Sequence, residues 1–173
     1  HINYSDIKGG AAIAVKRIHD AQKKIDIDSK IVVAEKYLDL KDIIGPKSTF
    51  EEVKWKVLNS INRKIGNLEK KERYDSNSYN LIPNNFVKKL NKINCDIINL
   101  HWIGSNLIPI KDLKKINKPL VWTLHDMWPY TGSEHYTKSF RFVEGYNKNN
   151  KPKEQRGYDI EKYCWSLKKK NYP

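Results

Sequence analysis

Histidines close the two most strand-like runs of the chain, Asp96-Ile97-Ile98-Asn99-Leu100-His101 and Pro119-Leu120-Val121-Trp122-Thr123-Leu124-His125. An imidazole at a strand end can hydrogen-bond a hydroxyl or move a proton near neutral pH, and Asp126 places a carboxylate beside His125 for similar general acid or base work. The pair suits equally a histidine that caps its strand and satisfies a loop carbonyl. Near the start, Gly9-Gly10-Ala11-Ala12 strips side chains from a turn that runs into a helix. Backbone N–H groups and the positive helix end are then open to an anion such as a phosphate. The same glycines read as well as a tight turn that needs positive φ; no GxGxxG or Walker loop is formed. Trp102, Trp128, Tyr130 and Tyr136 lie close to the histidines, where aromatic faces either stack on sugar rings or fill a core. His101, His125 and His135 could cluster, but no carboxylate-rich second site accompanies them, so no metal is expected. No serine stands on a GxSxG turn.

These residues need elements to position them, and the chain opens as strand, turn, helix, strand. His1-Ile2-Asn3-Tyr4 precedes the glycines, Ile13, Ala14, Ile18 and Ala21 recur at helical spacing, and Lys30-Ile31-Val32-Val33-Ala34 is β-branched and apolar. That is a βαβ unit, which implies a parallel sheet covered by helices on both faces. Ser48 and Glu51 have capping-box spacing before a helix whose apolar side is Val53, Val57, Ile61, Ile65 and Leu68. A loop is expected over Lys71 to Asn80, a short helix over Asn85 to Ile93, and another over Ile110 to Ile116. Asp159 caps a last helix with Ile160, Tyr163, Cys164 and Leu167 inward. In an open parallel sheet, ligands sit beyond the carboxyl ends of the strands. Gly9-Gly10, His101-Trp102 and His125-Asp126 all fall on that edge.

Composition sets the bounds. At 173 residues with 39% hydrophobic content, the chain suits one α/β domain with its own core. The net charge of +13 is carried almost wholly by lysine, with only Arg17, Arg63, Arg73, Arg141 and Arg156 as arginines. Lysine lacks the flat fork that reads phosphates and bases, and the charge is spread along the chain, so nucleic acid is not an expected partner. Cys95 and Cys164 stand far apart without metal-ligand spacing and read as two thiols of a reducing cytoplasm. No apolar run reaches the ~20 residues of a membrane span.

Three blocks carry a family resemblance: Asn3-Tyr4-Ser5-Asp6-Ile7-Lys8-Gly9-Gly10-Ala11-Ala12-Ile13-Ala14, Asp96 to Ile103, and above all Lys118-Pro119-Leu120-Val121-Trp122-Thr123-Leu124-His125-Asp126-Met127-Trp128-Pro129-Tyr130-Thr131-Gly132. In order and separation they resemble the N-terminal domain of bacterial glycosyltransferases of family 4, closest to a subgroup that builds surface polysaccharides. The resemblance implies a GT-B enzyme of two Rossmann-like domains facing a cleft, transferring a sugar with retention. The co-substrate would be a nucleotide-sugar, with no other cofactor and no metal. It implies that Gly9 and Gly10 approach the donor diphosphate and that His125 contacts the donor sugar. Asp126 joins His125 as a catalytic candidate, with His101, Trp102, Trp128 and Tyr130 lining the substrate cleft. The partners would be a nucleotide-sugar donor, a saccharide or lipid-linked acceptor and the chain's own C-terminal domain. A lipid-linked acceptor would bring the protein to the inner face of the membrane.

The expected division is a Rossmann-like domain over residues 1–144, a flexible loop over 145–158 and a helix of the same domain over 159–173, with the donor-binding domain absent. Many relatives read Thr-Gly-Gly-Cys-His-Tyr where this chain has Thr131-Gly132-Ser133-Glu134-His135-Tyr136. A cysteine-based local structure is therefore not expected here. The alternative reading is a non-catalytic Rossmann-like module that binds a nucleotide or sugar phosphate.

Overall fold

The computed structural model describes residues 1–66 and 77–172. Strands β1 (Ile2–Ser5), β2 (Ile31–Glu35), β3 (Ile43–Ile44), β4 (Ile98–Leu100) and β5 (Leu120–Trp122) form one sheet in the order β3-β2-β1-β4-β5. Every pairing is parallel, with Ile2 opposite Val32 on one side and Leu100 on the other. The expected βαβ unit is β1, α1 (Gly9–Lys23) and β2. The chain leaves β1 toward β2 on one side and later returns to β4 on the other, so the loops after β1 and β4 diverge and open a crevice. The two-residue strand β3 is too short to announce itself as a pattern.

Alternation along the strands divides the core in two. On one face Val15 of α1 packs with Ile31, Val33 and Ile43. On the other, Ile2, Tyr4, Ala34, Ile98 and Leu100 meet α2 (Thr49–Ile65), α3 (Phe86–Leu90), a 3-10 helix (Ile110–Lys115) and α5 (Ile160–Asn171). A short helix, α4 (Arg141–Glu144), precedes α5. Helices thus lie on both faces of a parallel sheet, as the βαβ opening requires.

Two helices turn a different face inward from the one their apolar spacing suggests. In α2 the buried residues are Trp55, Leu58 and Asn62, whereas Val53, Val57 and Ile61 are exposed. Trp55 and Leu58 offer the larger apolar area, and Asn62 Oδ1 accepts from the Tyr79 and Asn80 amides, each at 3.0 Å. The face that both fills the core and satisfies buried backbone is the one that docks. In α1 the buried residues are Ala12, Val15 and His19, and Ile13 is exposed. His19 is held by Ser29 Oγ, 2.9 Å away. Leu68 and most of the loop expected over Lys71 to Asn80 lie outside the described residues.

Both expected caps form: Ser48 accepts from the Glu51 amide, and Asp159 accepts from the Lys162 amide at 2.9 Å. Residues 145–158 hold no helix or strand, yet Tyr146 and Gln155 within them are buried. Cys164 is buried, Cys95 half-buried, and both are free thiols. No helix among the described residues is long and apolar enough to cross a membrane.

Candidate functional site

Helix α1 differs from α2 and α5 in two respects: no side chain caps its N-terminus, and no acidic residue stands in its first turn. Among the described residues, its leading N–H groups and the positive end of its dipole therefore have no capping side chain. The approach to this end is fixed by Asp6, buried after β1, whose carboxylate accepts from the Tyr37 amide at 2.9 and 3.1 Å and from the Leu38 amide at 2.8 Å. These bonds tie the glycine turn to the loop after β2. Gly9 has φ +84°, in the left-handed region that favours glycine. Gly10 has no such excuse. A Cβ built on it, as on Gly9, meets nothing within 4 Å.

The open space beside those glycines is a cleft of about 750 Å³. Gly9, Gly10, Trp102, His125, Asp126, His135 and Tyr136 all line it, so most of the residues that the sequence offered for chemistry converge there. Trp102 is placed by buried Asn3: its amide donates to Asn3 Oδ1 at 3.0 Å, while its carbonyl accepts from the Tyr4 amide at 3.0 Å. His101 lies behind the lining, buried, with Nδ1 2.9 Å from His125 Nε2. Burial, and then the neighbouring His125, push its imidazole down to about 4. Burial also lowers His125, against the opposing pull of Asp126.

Trp128 and Tyr130 do not line the cleft. Trp128 is a core residue, 2% exposed; its indole donates to Ser78 O at 2.5 Å and its face lies under Lys168 Nζ at 3.6 Å. An indole whose edge and face are both taken has nothing left to stack on a ligand. Tyr130 packs on Phe142 at 5.5 Å between ring centres.

Asp126 is committed to the protein. Its Oδ1 accepts from the Trp128 amide at 3.0 Å, and its Oδ2 lies 2.6 Å from His135 Nδ1. Burial by itself would raise this carboxyl, but the hydrogen bond and charge of His135, with the Trp128 amide, outweigh it and hold the group below its ordinary value. His135 Nε2 meets Ser78 Oγ at 2.8 Å, and Trp102 stacks on the imidazole at 5.1 Å with Nε1 3.2 Å from Nδ1. His135 is thus spoken for by Asp126 and Ser78. Among the described residues no group of three or more His, Cys, Asp or Glu side chains could hold a metal ion.

The loop from Trp128 to Glu134 is pinned from beneath. Lys168, fully buried, donates to the carbonyls of Trp128, Thr131 and Gly132, the last at 2.8 Å. Glu134 accepts from the Ser133 amide at 2.8 Å and from Tyr146 Oη at 3.2 Å. Tyr146 Oη in turn accepts from the Gly132 amide at 2.8 Å. Arg141 lies over the Tyr146 ring at 4.5 Å and is buried against Asp159 at 2.6 Å and Glu161 at 3.1 Å. Polar and ionic contacts shape this side of the site.

The cleft also has walls that sequence reasoning did not single out: Lys8, Glu35, Asn59 and Ser105. Lys8 donates to Glu35 at 3.0 Å and to the Tyr37 hydroxyl, which keep its ammonium charged beside the helix end. Lys8 adjoins the glycines, which was the available signal for it. Asn59 and Ser105 had none, because they reach the cleft only through packing. Ser105 carries φ 51°, a strained backbone for a serine, at a site boundary.

An uncapped helix end, a lysine, an imidazole and an indole on one cleft suit a ligand with an anionic part and a hydroxylated ring. Comparison with protein-family models, with curated proteins and with solved structures finds no match to this chain.

Proposed function

We propose that the chain is the acceptor-side, Rossmann-like domain of a GT-B glycosyltransferase, moving a sugar from a nucleotide-sugar to a saccharide or lipid-linked acceptor with retention. What supports this reading most is the convergence of Gly9, Gly10, Trp102 and His125 on one cleft at the carboxyl ends of β1, β4 and β5. Those residues come from three separate blocks of the resemblance.

In this reading the uncapped end of α1 and Lys8 face the diphosphate. Transfer breaks the bond between the anomeric carbon and a diphosphate oxygen, and the departing oxygen keeps the electron pair. Developing negative charge there is what fixed N–H dipoles stabilise best. The acceptor hydroxyl oxygen bonds the same carbon and passes its proton to the departing diphosphate oxygen, and His125 holds a hydroxyl of the transferred ring. Asp126 acts at one remove, by holding His135 under Trp102. The donor's nucleotide would be gripped by a second domain.

The test is a screen of nucleotide-sugars for slow donor hydrolysis by the complete enzyme, repeated with His125→Ala. Turnover should fall about 100-fold or more while the unfolding transition is unchanged. Near-normal turnover removes His125 from the site, and no turnover of any nucleotide-sugar by the complete enzyme removes the transferase reading.

A further inference from the structure

Behind the cleft, His125 is backed by two further imidazoles, His101 and His1, that the transfer reading does not use. His125 Nε2 lies 2.9 Å from His101 Nδ1, and His101 Nε2 lies 2.9 Å from His1 Nδ1. His1 Nε2 lies 2.7 Å from Gln22 Oε1 on α1. The same carbonyl oxygen accepts from the Ser29 hydroxyl at 2.8 Å, and Ser29 Oγ faces His19 Nδ1 at 2.9 Å.

With His1 uncharged, the direction of every proton in this line follows from its far end. A carbonyl oxygen has no proton to give, so His1 Nε2 is the donor to Gln22. A neutral imidazole carries one N–H, so His1 Nδ1 is an acceptor and must receive from His101 Nε2–H. By the same rule His101 Nδ1 accepts from His125 Nε2–H. His101, 2% exposed, stays neutral as this requires. His125 is left with a bare Nδ1 that has no hydrogen-bond partner among the described residues, on a side chain that lines the cleft.

We propose that Gln22, acting through His1 and His101, holds His125 in its Nε2–H tautomer and so offers Nδ1 to the cleft as an acceptor for a ligand hydroxyl. His101 is then a positioning residue, and the cleft discriminates for a hydroxyl that donates at that point. That the hydroxyl belongs to a sugar rests on the proposed function; the relay does not.

The experiment is heteronuclear NMR on the chain labelled with ¹⁵N-histidine. Long-range proton–nitrogen correlations should show His125 and His101 protonated on Nε2, with nitrogen–nitrogen coupling across each N–H···N bond to the neighbour's Nδ1. A proton on His125 Nδ1, or no coupling between His125 and His101, overturns the relay. Titration with UDP-glucose and GDP-mannose as probes should move the Nδ1 resonance of His125. Failure of both probes to move it, with the couplings present, overturns the sugar assignment and leaves the relay standing. His101→Asn, whose amide oxygen can stand in for Nδ1, should keep the His125 tautomer and the probe affinity. His101→Phe should lose both, with affinity about tenfold weaker, as expected for one misdirected hydrogen bond. Equal affinity in the two variants overturns the positioning role.

Discussion

Gly10→Ala separates the two reasons a helix can open on glycine. Glycine in a helix is less stable than alanine by about 0.5–1 kcal/mol, because the free backbone loses more entropy on folding. At Gly10 nothing offsets that deficit: the added methyl meets no atom within 4 Å, and the residue lies within the helical span of α1. The first turn feels the propensity weakly, so Gly10→Ala should gain about 0.5 kcal/mol, which is about 1–2 °C in Tm for a domain of this size. Gly9→Ala should do the reverse. Its φ of +84° costs a side chain about 1–2 kcal/mol, although its methyl would also meet nothing within 4 Å. Ligand binding should run against stability at Gly10, since the methyl occupies the space through which a diphosphate reaches the helix N–H groups. Thermal unfolding followed by circular dichroism, paired with calorimetric titration of UDP-glucose, GDP-mannose and pyrophosphate, reads both quantities. The expected result is a more stable variant with diphosphate affinity at least about tenfold weaker. A Gly10→Ala protein that is more stable and binds as well as the parent would refute the cradle and leave only a turn. A less stable one would show that the backbone needs this glycine.

Lys168→Met should destabilise the domain by about 2–4 kcal/mol in urea unfolding, because the carbonyls of Trp128, Thr131 and Gly132 lose their common donor. Burial pushes the Lys168 ammonium down to about 7 in the folded protein, so between that pH and the ordinary lysine value the unfolded chain holds the extra proton. Stability should therefore rise with pH from about 7 toward 9, and the slope should shrink in Lys168→Met; equal slopes would mean that the group titrates normally. Arg141→Met should cost about 3–5 kcal/mol by leaving Asp159 and Glu161 without their shared cation, and a loss below about 1 kcal/mol would show that this network does not hold α5 to the loop. His125→Ala, by contrast, should leave stability nearly unchanged while removing turnover.

Much of the fold was legible because its signals are local. The β-branched run at Ile31 to Ala34, the Ser48–Glu51 box and the Asp159 cap each act within a few residues, and each produced the element it announces. The two strand-end histidines were legible as neighbours at one sheet edge for the same reason. Other features escaped because competing local patterns were equally plausible: Val53, Val57 and Ile61 make as regular a stripe as Trp55, Leu58 and Asn62, and nothing within α2 tells which one faces the sheet.

By itself the sequence determined the kind and order of elements and brought Gly9, Gly10, His101 and His125 to one edge of a parallel sheet. Helical and strand periodicities read out over a handful of residues, and parallel connectivity then constrains where strand ends meet. Tertiary structure alone decided that Trp128 is core while Trp102 is cleft, that Asp126 serves His135, and that His125 is backed by His101, His1 and Gln22. Those pairings join residues as far apart as 100 positions, where no local pattern reaches. They were settled by which buried polar groups could find partners once the sheet had closed.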